Sequence, residues 1–205
     1  GGNPDLFDPN TMLSVNTIDF GKNYFTGSIP SNIFNLKGLQ TLAAPLNCFS
    51  GSLPDNVCNA SSLVTTVLSS LTSGKECRYY YLSDTSTTFT GFEASNLMQS
   101  TIPDCIYKLE YMQTLLLGGN GFVGNLPEEI SPSLKILDVA GNTINGELTD
   151  GICRGNLTEI YMTNNRITGT LDKFQENSII QSDPESFRLN ITVNQLSGTV
   201  PAALT

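Results

Sequence analysis

Apolar residues recur along this chain in short alternations: Ile18 and Phe20, Leu42 and Ala44, Leu115 and Leu117, Leu137 and Val139, Ile160 and Met162, Leu189 and Ile191. A period of two predicts short strands with one buried face. Three positions after each pair stands an Asn, at 23, 47, 120, 142, 165 and 194, and a fair match adds Asn96. Two positions on comes another apolar residue: Phe25, Phe49, Phe122, Ile144, Ile167 or Leu196. Two further comes Gly, at 27, 51, 124, 146, 169 and 198. Two beyond that is Ile29, Leu53, Leu126, Leu148, Leu171 or Val200, followed by Pro at 30, 54, 127 and 201. The Asn-to-Asn steps are 24, 49, 24, 22, 23 and 29 residues.

A unit of this length cannot bury its apolar side alone, so the units must stack around one continuous core. Their strands then pair into a parallel sheet. The chain must turn inward at each corner, and a buried Asn there satisfies backbone groups of its own coil and the adjacent one. The expectation is a ladder of Asn23, Asn47, Asn120, Asn142, Asn165 and Asn194. Gly serves close backbone approach or a positive φ at the second bend. Pro ends the strand and starts a short turn or helix.

The segments "LQTLAAPLNCFSGSLP", "MQTLLLGGNGFVGNLP" and "LNITVNQLSGTVP" resemble the plant-specific leucine-rich repeat, L-x-x-L-x-L-x-x-N-x-L-x-G-x-I-P. The resemblance runs from about Leu13 to Pro201. It implies an α/β fold: a right-handed solenoid with a parallel concave sheet and short or irregular convex helices. The G-x-I-P segment commonly adds a second, smaller sheet. Similar proteins include plant receptor-kinase ectodomains, polygalacturonase-inhibiting proteins and secreted proteins of algae and protists. Residues 1–205 read as a single solenoid segment of about seven or eight coils, part of a longer chain. The family's ectodomains usually carry a cysteine-containing cap, which "GGNPDLFDPNTML" lacks. Flanking sequence or another chain is therefore expected to cover the ends.

The 49-residue step breaks the pattern. Leu63, Val67 and Leu68 look like a strand with no Asn after it, and Ile102-Pro103 restores the phase. One oversized coil with an excursion around 72–95 is favoured over two degenerate coils. The excursion carries Cys77 and Tyr79-Tyr80-Tyr81. Those tyrosines either pack on the solenoid flank or anchor a ligand, since Tyr supplies contact area at low entropy cost. A smaller excursion from Gln175 to Ser186 lengthens the last step and is expected on the surface.

Charge and cysteine usage narrow the setting. The net charge of −9 opposes phosphate backbones and anionic membranes, so nucleic acid is not an expected partner. No apolar run reaches a membrane span. The chain has no His, which removes Ser-His-Asp and Cys-His catalysis and His-based zinc sites from this segment. The pattern calls for no metal and no cofactor. Three sequons, at Asn59, Asn156 and Asn190, point to the secretory route and N-glycosylation. The five cysteines include no C-x-x-C pair. If the excursion is one loop, adjacent coils bring Cys58 near Cys105, and Cys48 could then tether Cys77, leaving Cys153 single.

The outward strand positions give two concave rows. One reads Asp19, Ala43, Val67, Leu116, Asp138, Tyr161, Asn190, and the other Thr17, Thr41, Thr65, Thr114, Ile136, Glu159, Arg188. Neither has converging acids, bases and donors, so an enzyme is not expected. Asp19, Leu116, Asp138 and Tyr161 are the candidate ligand contacts. A glycan at Asn190 would cover the last coil and push binding elsewhere. The four-Thr row could match an ice lattice, but it is short, curved and interrupted. The leading expectation is an extracellular, noncatalytic recognition module, secreted or on the cell surface or wall, for a protein, peptide or glycan. The alternative is a structural subunit of an extracellular assembly, a wall layer, surface hair or fibril, packed from copies of itself.

Overall fold

The computed structural model describes residues 7–71 and 100–205. Eleven strands occur there: β1 (Thr17–Asp19), β2 (Thr26–Gly27), β3 (Thr41–Ala43), β4 (Cys48–Phe49), β5 (Thr65–Val67), β6 (Thr114–Leu116), β7 (Val123–Asn125), β8 (Ile136–Asp138), β9 (Thr143–Asn145), β10 (Glu159–Tyr161) and β11 (Arg188–Asn190). Seven make one sheet in the order β1-β3-β5-β6-β8-β10-β11, and every pair is parallel. β2 with β4, and β7 with β9, form the smaller sheets that the repeat type implies. β5 pairs directly with β6, Thr65 opposite Thr114, although 46 residues separate β5 from β6 and a regular step needs far fewer. One oversized coil is therefore the organisation. The excursion itself, with Cys77, Tyr79, Tyr80, Tyr81 and the phase marker Asn96, lies outside the described residues.

The core lies between the sheet and short convex helices. Leu42, Leu115, Leu137 and Ile160 point inward from the strands, and Phe49, Phe122, Ile144 and Ile167 follow the Asn corner. Val57, Ile106, Ile152 and Phe174 close the convex side. Each fully buried side chain of this size stabilises the fold by about 2 kcal/mol. The convex elements include 3-10 turns at Ser31–Asn35, Asp55–Asn59 and Asp172–Glu176, and helices at Asp104–Tyr107 and Asp150–Arg154.

The Asn residues build a directional ladder. Each amide nitrogen donates to the carbonyl three residues before it and to the equivalent carbonyl of the preceding coil. For Asn120 these are Leu117 O at 2.9 Å and Leu68 O at 2.7 Å. Its Oδ1 accepts from Leu71 N at 2.8 Å. Asn47, Asn142, Asn165 and Asn194 repeat the two carbonyl bonds. Asn47 and Asn120 are 0% exposed. Asn23 differs from the expectation of burial. Its side chain is exposed and bonds only within its own coil, to Phe20 O and Gly21 O, because no coil among the described residues precedes it. Asn194 is half-buried for the matching reason at the other end.

The second excursion is more ordered than a surface loop. Asn177, fully buried, caps the helix Ser178–Ser182 by accepting from Ile179 N and Ile180 N, and its amide donates to Cys153 O at 2.8 Å. A 3-10 turn at Pro184–Ser186 then leads into β11.

Candidate functional site on the concave sheet

The short strands fix the concave face because pairing is in register. Asp19, Ala43, Val67, Leu116, Asp138, Tyr161 and Asn190 are successive partners across the sheet, as are Thr17, Thr41, Thr65, Thr114, Ile136, Glu159 and Arg188. Buried Leu42, Leu115, Leu137 and Ile160 face the other way, as a pleat requires.

Three polar arrangements punctuate this face. Asp19 Oδ1 accepts from Gly21 N at 2.7 Å. Asp138, half-buried, accepts from Ala140 N at 2.9 Å. Burial lifts its carboxyl pKa above the ordinary value, and the Ala140 bond only partly offsets this. Gly118 makes room beside it, since a Cβ there would stand 3.0 Å from both carboxylate oxygens. On β10 the Tyr161 hydroxyl donates to Glu159 Oε2 at 2.7 Å, and that bond pushes the phenol pKa up. On β11 the exposed Asn190 accepts from the hydroxyls of Thr163 and Thr192, at 2.7 and 3.3 Å.

The structure thus brings Leu116, Asp138 and Tyr161 side by side on adjacent strands and leaves Asp19 far from them. Asp19 and Asp138 are four strand spacings apart, about 19 Å at ~4.8 Å each. Carboxylates of a hydrolase pair lie within about 10 Å. Among the described residues no group of three or more His, Cys, Asp or Glu is placed to hold a metal ion.

The remaining candidates lie away from this face. A disulfide joins Cys58 to Cys105, with Cα atoms 5.4 Å apart, tying the turn Asp55–Asn59 to the helix Asp104–Tyr107. Cys48 is also disulfide-bonded, and its expected partner Cys77 lies outside the described residues. Cys153 is a buried free thiol whose pKa burial pushes up to about 12, which suppresses thiolate chemistry. Asn59 and Asn156 flank the convex elements, where their amides donate to Asn35 Oδ1 and Pro132 O.

Sequence reasoning missed two features. One is the Tyr161–Glu159 bond, which the alternation of the two residues on one strand face could have suggested. The other is a depression of ≈ 350 Å³ beside the Asn corner, floored by Gly119, Gly121 and Gly141 and edged by Thr143, Asn164 and Arg166. Its signal was the glycines immediately around Asn120 and Asn142.

No family model matches the chain. Receptor-like protein 35 of Arabidopsis thaliana is 27% identical over 141 residues, 67% of this chain and 14% of that protein. The structure of the plant peptide hormone receptor RGFR1 in complex with RGF2 is similar at a TM-score of 0.71 and 22% identity, over 94% of this chain and 26% of that one. The Arabidopsis receptor kinase HAESA, in complex with the peptide hormone IDA and the co-receptor SERK1, gives 0.70 and 24%, over 92% and 27%. The chain therefore spans about a quarter of these structures and a smaller part of the receptor-like protein. The likeness to the two solved structures is one of fold.

Proposed function

We infer that this chain, a leucine-rich-repeat solenoid of the plant-specific type, is an extracellular noncatalytic module that binds a peptide along its concave sheet. The observation that carries the reading is the in-register row Ala43, Val67, Leu116, Asp138 and Tyr161, an apolar strip ending in a carboxylate and an aromatic ring. Such a surface offers burial and orientation to a ligand, and Asp19 and Asp138 stand too far apart to act as an acid–base pair. The two receptors of like fold each bind a peptide hormone in their complexes, which favours a peptide over a glycan. The disulfide and the three sequons support an oxidising, secretory setting. No helix among the described residues is long and apolar enough to cross a membrane. The alternative of a self-packing structural subunit gains nothing from these relatives.

The test uses a phage-displayed library of random linear octapeptides, selected on the wild-type chain and rescreened on Leu116→Arg. Leu116 is half-buried on the outward face, so the substitution places charge in the strip while sparing the core. Enriched peptides should lose binding to Leu116→Arg and keep it on Glu185→Lys, an exposed position of the second excursion. Enrichment that ignores Leu116 would overturn the concave reading.

A further inference from the structure

We propose that the middle of the concave face is a subsite for a lysine or arginine side chain of an extended peptide, with Asp138 as its counter-ion. The proposal rests on the concave-face reading and adds the class of ligand to it.

Asp138 is poorly matched to the unliganded fold. Its carboxylate is half-buried and accepts a hydrogen bond from Ala140 N. The strands on either side present no cation to it: β6 offers Thr114 and Leu116, and β10 offers Glu159 and Tyr161. The ion pairs among the described residues, Lys108–Glu129, Arg154–Asp150, Arg154–Glu176 and Lys173–Asp150, all involve other acids. Arg188, the basic residue of this sheet, stands opposite Glu159, two strands from Asp138. A partly desolvated carboxylate without a cation is unfavourable, and an incoming ammonium or guanidinium relieves that directly.

The surroundings suit a cation. Tyr161 is the register partner of Asp138, and its ring can face a cation across the ~4.8 Å strand spacing. Its hydroxyl holds the Glu159 carboxylate on the same face, adding a second negative charge. Gly118, on the β6 side, lacks the Cβ that would stand 3.0 Å from both carboxylate oxygens. Next to the charged end runs the strip Leu116, Val67 and Ala43. From Ala43 to Tyr161 is four spacings, ~19 Å, which roughly six extended residues span. The occupant is therefore a short extended segment with apolar side chains on one side of a Lys or Arg. The chain's net charge of −9 draws such a ligand in.

The octapeptide selection decides this when its output is read for composition and rescreened on Asp138→Asn and Asp138→Lys. Asp138→Asn keeps an acceptor for Ala140 N, so the variant folds, and its thermal midpoint verifies that. Leu116-dependent peptides should carry a Lys or Arg next to apolar residues. They should bind Asp138→Asn about tenfold more weakly and lose measurable binding to Asp138→Lys. Leu116-dependent peptides that lack a cation, or that bind Asp138→Asn unchanged, overturn the cationic subsite and leave the concave reading standing. A selection that yields no Leu116-dependent peptide overturns both.

Discussion

Val193 holds a backbone conformation that its side chain resists. Its φ is +56°, and the residue before every ladder position adopts the same left-handed turn: Lys22, Leu46, Ser70, Gly119, Gly141 and Asn164. The turn is dictated by the coil, whatever residue fills it, and for a non-glycine residue it costs about 1–2 kcal/mol. Val, β-branched and 70% exposed here, has no packing to offset that. Replacement by Asn, which Asn164 shows the site accepts, should raise stability by about 1 kcal/mol, seen as a higher denaturation midpoint. Asp138 gives a second residue-scale expectation, this one dependent on pH. Burial raises its folded pKa above the unfolded value, so the ionised form is the one folding disfavours. The contribution of this group is most favourable below the unfolded pKa and is lost as pH rises through the raised folded pKa. Asp138→Asn should therefore be more stable than the wild type at neutral pH, with the advantage vanishing in acid below both values. Denaturation midpoints of the two proteins across that range would check it. Glu159→Gln serves as control, since Glu159 and Tyr161 are the titratable groups facing Asp138 from β10, and β6 offers none there.

Within a coil, the ladder Asn does more than mark phase. Asn120→Ala would orphan Leu68 O and Leu71 N in a fully buried corner, while Leu117 O keeps the bond from the Asn142 amide. With each unsatisfied group costing about 1–3 kcal/mol, a loss of at least ~2 kcal/mol is expected. Asn23→Ala, at an exposed corner, should cost under about 1 kcal/mol, and urea titration of both variants would measure the contrast. The oversized coil shows why the sequence made these elements only partly legible. Leu71 occupies the ladder position there and is fully buried, and its carbonyl takes the Phe49 N–H at 2.9 Å in place of an Asn side chain. A backbone substitute leaves no residue-type signature, so the repeat is invisible at that point. The same holds for the left-handed turns, which are filled by Lys, Leu, Ser, Gly, Asn and Val alike. What the sequence did disclose, the strand rows and the Asn-x-apolar-x-Gly corner, are positions where only one or two residue types satisfy the geometry. All six repeat glycines, from Gly27 to Gly198, sit at positive φ. Asp138 was legible as an outward acid. Its burial was not, because that depends on Gly118 and Tyr161 from the coils on either side.

At the scale of the whole molecule, stacking turns local rows into one extended face, and position along the solenoid decides what each stretch can bind. Asn190 ends one row on β11, exposed, with Oδ1 engaged by Thr163 and Thr192. Its amide nitrogen, the atom a glycan would occupy, makes no bond among the described residues, so a sugar there disturbs no contact of the fold. The amides of Asn59 and Asn156 donate to neighbouring coils, and a glycan would displace those bonds. Protein secreted from a eukaryotic host should therefore carry a sugar at Asn190, visible as a mass loss on enzymatic deglycosylation. Asn190→Gln should change stability by no more than about 0.5 kcal/mol. The strip from Ala43 to Tyr161 stops one strand short of Asn190, so a peptide of roughly six residues fits without crossing β11. Deglycosylation should then leave Leu116-dependent peptide affinity within about twofold, since the sugar meets only the outer coil. A gain of tenfold on deglycosylation would place the ligand across β11, with Arg188 and Asn190 in its footprint and the apolar strip reduced to one end of a longer site.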